Sequence, residues 1–77
     1  MKRVRVFLRT ELFTISTASH VPQGSAVLDG EVEEQTPGGI VLRVDAYADG
    51  KGRPLDGSPV RIFLPAGKVD HILLIES

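Results

Sequence analysis

Residues Pro59 to Ser77 read PVRIFLPAGKVDHILLIES and carry the strongest structural signal in this sequence. Its pattern predicts two short strands joined by a tight link at residues 65–68. A strand with one face on a core and the other in water alternates apolar and polar residues. Residues 72–75 (ILLI) are apolar at every position, so both faces of the last strand need a cover. We expect a second subunit to cover one of them.

The composition bounds the size of the core and the classes of partner. The chain has 77 residues and no cysteine, and its nine Lys and Arg nearly balance its ten Asp and Glu. A single domain of this length buries only about 60% of the surface that its unfolded form exposes, so its stability is marginal. Because disulfides and thiolate metal sites are excluded, oligomerisation is the expected reinforcement. A net charge of −1 argues against nucleic-acid binding through bulk charge.

The composition also predicts the location and the source of the protein. No run approaches the roughly 20 apolar residues of a membrane span, so we expect no membrane partner. The lack of cysteine is typical of a cytoplasmic protein. Arg outnumbers Lys six to three, and this ratio favours a high-GC genome and a thermophilic source.

Period-two alternation upstream of the last two strands predicts further strands at residues 3–9, 26–33 and 40–48. Residues 36–39 (TPGG) are typical of a hairpin turn, and Gly30 predicts a bulge or bend. Three interpretations stay open for residues 11–17: a second strand, a continuation past a bend, or a short helix. Residues 49–58 carry two Asp-Gly steps, which predict a mobile loop or a pair of turns rather than a packed element. The predicted fold is a single all-β domain, a small and mostly antiparallel barrel of five or six strands.

This order of elements resembles the Sm-like family of small β-barrels over about residues 26–76. The features that match are Gly30, the hairpin at 36–40, the loop at 49–58 and the closing unit at 62–74. In that family the last two strands pair between subunits to form rings, so the resemblance implies a homo-oligomer. Family members hold single-stranded RNA with an Asp and an Asn near the second turn and an Arg-Gly or Lys-His step before the last strand. The corresponding positions here read QTPGG and PAGK, so the resemblance implies the barrel without the RNA motifs.

Basic residues offer one candidate site. Arg3, Arg5 and Arg9 alternate along the first strand, and with Lys68 they could form a small nucleic-acid surface. The competing interpretation, which we favour, is that the basic run pairs across strands with the acidic residues at 29–34.

Asp70 and His71 offer a second candidate, because a carboxylate beside an imidazole can support acid–base chemistry. Adjacent strand residues point to opposite faces, so we expect these two side chains to diverge and His71 to be structural. No metal, cofactor or nucleophile motif is recognisable, and no small-molecule substrate is evident. We therefore expect a protein that is not an enzyme, and chemistry at His71 ranks last among our hypotheses.

Apolar residues near the C-terminus offer the third candidate, a surface for self-association rather than a ligand groove. The leading hypothesis is a non-catalytic barrel that self-associates through its last strand and serves as a binding or scaffold module. The alternative is an Sm-like protein that binds single-stranded RNA. The predicted interface residues are Phe63, Ile72, Leu73, Leu74 and Ile75.

Overall fold

The computed structural model describes residues 3–12 and 21–75. It confirms the all-β class, and within these residues the only helical element is one 3₁₀ turn, Ala66–Lys68. The strands are β1 (Arg3–Leu8), β2 (Val27–Thr36), β3 (Gly39–Ala48), β4 (Pro54–Leu55), β5 (Val60–Pro65) and β6 (Val69–Ile75).

The six strands form one antiparallel sheet, in which five follow the order β4-β3-β2-β1-β6 and β5 pairs with β3 beside β4. Strand β3 is long enough to hold two neighbours on the same side. Its first half pairs with β5 and its end pairs with β4. The sheet curls into a half-barrel, which is consistent with the predicted small barrel. Strand β6 ends the sheet on one side, and β4 and β5 share the other, since each of them pairs with β3 alone among the described strands.

Apolar residues at alternate positions of the strands fill the concave side of the sheet, here called the core face. The opposite side is called the outer face and carries Arg3 and Arg5. This alternation is the predicted one, because period two places every second side chain on the same face. The buried hydrophobic residues are Val4, Val6, Leu8, Leu28, Ile40, Leu42, Val44, Tyr47 and Leu64.

Gly30 lies where β2 bends over β3, and the predicted bend is confirmed. The register between the two strands shifts between Asp29 and Gly30. A Cβ added at Gly30 would lie 1.9 Å from the carbonyl oxygen of Arg43. Only a residue without a side chain allows the two backbones to approach this closely. The predicted hairpin is also confirmed, since Thr36 pairs with Gly39 across the turn.

The stretch at 49–58 is more ordered than its sequence predicts. The prediction that it contains no packed element is wrong, because Pro54 and Leu55 form β4 against the end of β3. The Asp49 carboxylate organises the turn before β4. Its Oδ1 accepts hydrogen bonds from the backbone amides of Lys51 and Arg53, both at 2.9 Å. Because one carboxylate accepts hydrogen bonds from backbone amides two and four residues ahead, this glycine-rich segment forms an ordered Asx-type turn.

One expectation concerns residues outside the described ranges. The alternatives for residues 11–17 fall there except at Glu11 and Leu12, which form no strand or helix. Among the described residues, no helix has the length and apolar character needed to cross a membrane.

Candidate functional site

The two ends of the sheet are the first candidate site. Within the described residues, β5 pairs with β3 alone and β6 pairs with β1 alone. Each strand therefore presents one edge of backbone N–H and C=O groups without a neighbouring strand, and we call these the free edges. Such an edge is a template for another strand, and natural proteins normally blunt it with charges, prolines or a covering element.

The free edges carry the exposed large apolar side chains. Phe63 on β5 and Ile72, Leu73 and Leu74 on β6 are between 36% and 62% exposed. Ile75 at the end of β6 is half-buried. All five are the residues predicted for an interface, and the structure places them on the two terminal strands of the sheet.

The cross-strand register shows which face each of these side chains occupies. Leu74 pairs with Val4, so it lies on the core face, whereas Leu73 pairs with Arg5 and lies on the outer face. Ile72 lies on the core face with Leu74. Strand β6 is thus apolar on both faces, as its sequence predicts, and a single copy of the chain leaves both faces accessible to water.

The core opens toward solvent between β5 and β6. One cavity of about 190 Å³ is lined by Ile40, Leu64 and Ile72, among others. A second cavity of about 240 Å³ adjoins Ile40, Ile72 and Leu74. Because apolar side chains dominate both linings, this opening is an incomplete part of the core and not a polar catalytic cleft.

Arg3 and Arg5 are held in ion pairs on the outer face. The two Nη atoms of Arg3 donate to the Asp45 carboxylate at 2.6 and 2.7 Å. Arg5 donates from Nε and Nη2 to Asp29 at 2.8 and 3.1 Å. The hydrogen bonds from Arg3 lower the pKa of Asp45 below its ordinary value. The Arg5–Asp29 pair agrees with the interpretation that the basic run pairs with the acidic residues at 29–34. Arg3 departs from it, because its carboxylate partner Asp45 lies outside that run on β3, two strands away from β1.

Arg9 and Lys68 meet where β1 ends and β6 begins. The backbone amide of Arg9 donates to the carbonyl oxygen of Lys68 at 2.8 Å. The Lys68 ammonium donates to Thr10 Oγ1 at 2.5 Å and to the carbonyl oxygen of Glu11 at 3.2 Å. The four predicted nucleic-acid residues therefore separate into two carboxylate-paired arginines on the sheet and a second pair at its margin.

A three-residue charge cluster on the outer face was not predicted. Glu33 accepts hydrogen bonds from Arg61 at 2.5 Å and lies 2.7 Å from Arg43. Arg43 and Arg61 are directly opposite each other on β3 and β5. The hydrogen bond from Arg61 is the main reason why the pKa of Glu33 is lowered. The sequence indicated only that Glu33 is acidic, because its two arginine partners are brought together by the pairing of β3 with β5.

The expectation that Asp70 and His71 diverge is wrong. His71 Nδ1 lies 2.8 Å from Asp70 Oδ2. Leu8 on β1 pairs with Val69 on β6, and the preceding residue Phe7 pairs with His71. Asp70 has no partner on β1 and is the extra residue of a bulge. A bulge interrupts the alternation of side chains, which lets two neighbours meet. The His71 ring stacks on Phe7, with centroids 4.3 Å apart and planes 9° apart.

These contacts place His71 in a structural setting on the outer face of β6. Among the described residues, no three His, Asp or Glu side chains converge as a metal site would require. No family model, curated protein or solved structure matches this chain. The free edges and the outer face are therefore the features of the molecule that bear on its function.

Proposed function

We propose that this protein is a non-catalytic small β-barrel module that self-associates by pairing β5 of one copy with β6 of the next. In this arrangement it serves a binding or scaffold role. The observation that carries the proposal is that the large exposed apolar residues lie on β5 and β6, each of which has a free edge. The resemblance to Sm-like barrels, which assemble through their last two strands, points in the same direction.

Pairing of β5 with β6 of another copy would place apolar side chains beside the last strand on both of its faces at once. On the core face, Ile72 and Leu74 would extend the apolar surface formed by Leu64 of the neighbour. On the outer face, Leu73 would meet the side of β5 that carries Phe63. The contact is heterologous, meaning that two different surfaces meet, so repeated contacts form a closed ring or an open filament.

The energies favour an interface that includes both side chains and backbone. Complete burial of a Leu, Ile or Phe side chain contributes about 1.5–3 kcal/mol. Because the four exposed side chains are already partly buried, their covering contributes about 3–6 kcal/mol in total. The entropy cost of association is about 4–15 kcal/mol, so this apolar gain offsets only the low end of that cost. Hydrogen bonds between the two edges, each worth about 1 kcal/mol net, supply the rest.

Sedimentation velocity tests the proposal with a matched pair of charge variants. Leu74→Glu places a carboxylate in the proposed contact, whereas Gly50→Glu adds the same charge in a turn where a side chain has open space. We expect the wild type and Gly50→Glu to sediment as the same oligomer at micromolar concentration, and Leu74→Glu to shift toward monomer. A monomeric wild type, or a Leu74→Glu assembly of unchanged mass, would remove the proposal.

Cysteine cross-linking distinguishes edge pairing from other contacts, and the chain has no native cysteine to interfere. We expect a mixture of Phe63→Cys and Leu73→Cys proteins to form mixed disulfides faster than either variant alone forms its own. Equal rates in all three samples would indicate a symmetric contact instead.

Binding of single-stranded RNA is the second candidate function. The observation in its favour is that Arg9 and Lys68 lie together beside the link before the last strand, where Sm-like proteins hold a base. The weakness is that the charges of Arg3 and Arg5 are already matched by carboxylates. A salt-dependent mobility shift with oligo-U or oligo-A, lost on Arg9→Ala and Lys68→Ala, would support it. Absence of binding at low salt would count against it.

A further inference from the structure

A groove of about 310 Å³ crosses the outer face, away from the opening between β5 and β6. The strand register puts Phe7, Val27, Ala48 and Pro54 in one row across β1, β2, β3 and β4. All four line the groove, and small side chains form its floor. Alanine is a poor strand former, and its short side chain on an accessible sheet face leaves a depression.

One wall of the groove is an aromatic ring with a fixed orientation. Phe7 is stacked on His71, which lies across the pair on β6. The groove lies on the opposite side, toward β2, so the other face of the Phe7 ring borders it. Adjacent strands are about 4.8 Å apart, so a planar ring placed over Val27 would continue the stack from His71 through Phe7.

A hydrogen-bonding edge lies next to this position. Asp29 follows Val27 on the same face of β2, about 7 Å along the strand, and it is bonded to Arg5. Both residues line the groove, and their side chains are 20% and 43% exposed. Within the described part of the chain, Arg5 Nη1 has no acceptor and each Asp29 oxygen accepts only from Arg5. A donor and an acceptor are therefore available side by side.

From this arrangement we propose that the groove binds a planar heteroaromatic ring with a donor–acceptor edge, the chemistry of a nucleobase. The ring stacks on the face of Phe7 that is turned away from His71, over Val27, and its polar edge meets the Arg5–Asp29 pair. The ligand is a free nucleotide or one base of a single-stranded nucleic acid, since both present the same ring. The site does not depend on self-association, because none of its residues lies on β5 or β6.

Chemical-shift titration of the 77-residue protein tests the site directly. The probes are the four ribonucleoside 5′-monophosphates, with ribose 5-phosphate as the control that lacks a base. We expect at least one nucleotide to shift the methyl signals of Val27, Ala46 and Ala48 saturably at millimolar concentration, and ribose 5-phosphate to leave them unchanged. No shift with any of the four nucleotides, or equal shifts with ribose 5-phosphate, would overturn the proposal.

Three variants show whether the ring occupies the groove as described. Phe7→Leu removes the stacking face and should weaken binding about tenfold, whereas Phe63→Leu removes the exposed ring on β5 and should change nothing. Ala46→Leu fills the floor without altering Phe7 and should abolish binding. Unchanged affinity in both Phe7→Leu and Ala46→Leu, with the fold verified by circular dichroism, would overturn the proposal.

Two further measurements identify the source of the ring and separate this site from the proposed assembly. If a hexanucleotide binds much more tightly than its mononucleotide, and Phe7→Leu removes the difference, the ligand is a nucleic acid; equal affinity per base indicates a free nucleotide. Either result retains the site. Leu74→Glu should bind the nucleotide as the wild type does, so failure of self-association and failure of the groove are observed independently.

Discussion

Replacement of Gly30 by alanine should cost this protein a large part of its stability. A Cβ at this position would lie 1.9 Å from the Arg43 carbonyl oxygen and 2.8 Å from its carbon. The atoms in contact are backbone atoms of β3, so no flexible side chain can move aside. Strands β2 and β3 would have to separate by about 1 Å to restore even a tight contact of 3.0 Å.

The expected loss is about 3 kcal/mol, at the upper end of the usual range for overpacking, because the strain falls on paired backbone. A domain of 77 residues has a free energy of unfolding of about 4–12 kcal/mol in total. A loss of this size corresponds to a fall in melting temperature of about 12–24 °C. The bend also positions β1 and β6 relative to β5, so the same substitution should weaken self-association.

Thermal and urea unfolding followed by far-ultraviolet circular dichroism measures the effect. Gly50→Ala is the matched control, since a Cβ there has no atom within 4 Å and the backbone does not need a positive φ. It should leave stability unchanged or raise it by less than about 1 kcal/mol. Repeating both substitutions in the Leu74→Glu background removes the contribution of assembly to the melting temperature. A Gly30→Ala protein that melts within about 4 °C of Gly50→Ala would refute the close-approach argument.

Three other substitutions test single contacts. Tyr47→Phe removes the hydrogen bond from the buried Tyr47 hydroxyl to the Ser58 carbonyl oxygen, 2.7 Å long, and should lower the free energy of unfolding by about 1 kcal/mol in urea titrations. The folded-state pKa of Asp45 is below its ordinary 3.8, so the bond with Arg3 stabilises the fold above that pH and the stabilisation is lost as the pH falls through the lowered pKa. Asp45→Asn should therefore make acid unfolding less steep. An unchanged pH profile of stability would contradict the pairing. Asp49→Ala removes the acceptor of two backbone amides in the turn before β4, and hydrogen exchange of those amides should accelerate while the rest of the sheet is unaffected.

Much of the fold could be read from the sequence because the period of two is a local property. Alternation predicted β1, β2, β3 and β5, the apolar run at 72–75 predicted β6, and the hairpin signal at 36–40 predicted one pairing. Gly30 predicted the bend because a glycine inside a strand has few other structural reasons to be there. Strand β4 was missed, since two residues are too few to show a period, and its pairing depends on the Asp49 turn.

The candidate interface was also predictable in part. Residues 72–75 are apolar on both faces in the sequence alone, and the structure adds that β6 ends the sheet with an unpaired edge. The partners of the charges were less accessible. Arg5 could be matched to the acidic run, but Arg3 bonds to Asp45 on β3, which lies two strands away in the order of the sheet.

The sequence alone predicts that this chain forms short, mostly antiparallel strands and that a single copy cannot bury both faces of the last one. Both conclusions depend only on residues that are neighbours in the chain. Tertiary structure decided which strands remain at the edges, how the bulge brings Asp70 to His71, and that Phe7, Val27 and Asp29 border one groove. These features depend on register, and a shift of one residue turns every side chain of a strand to the other face. Register is set by contacts between distant strands, so no local pattern contains it.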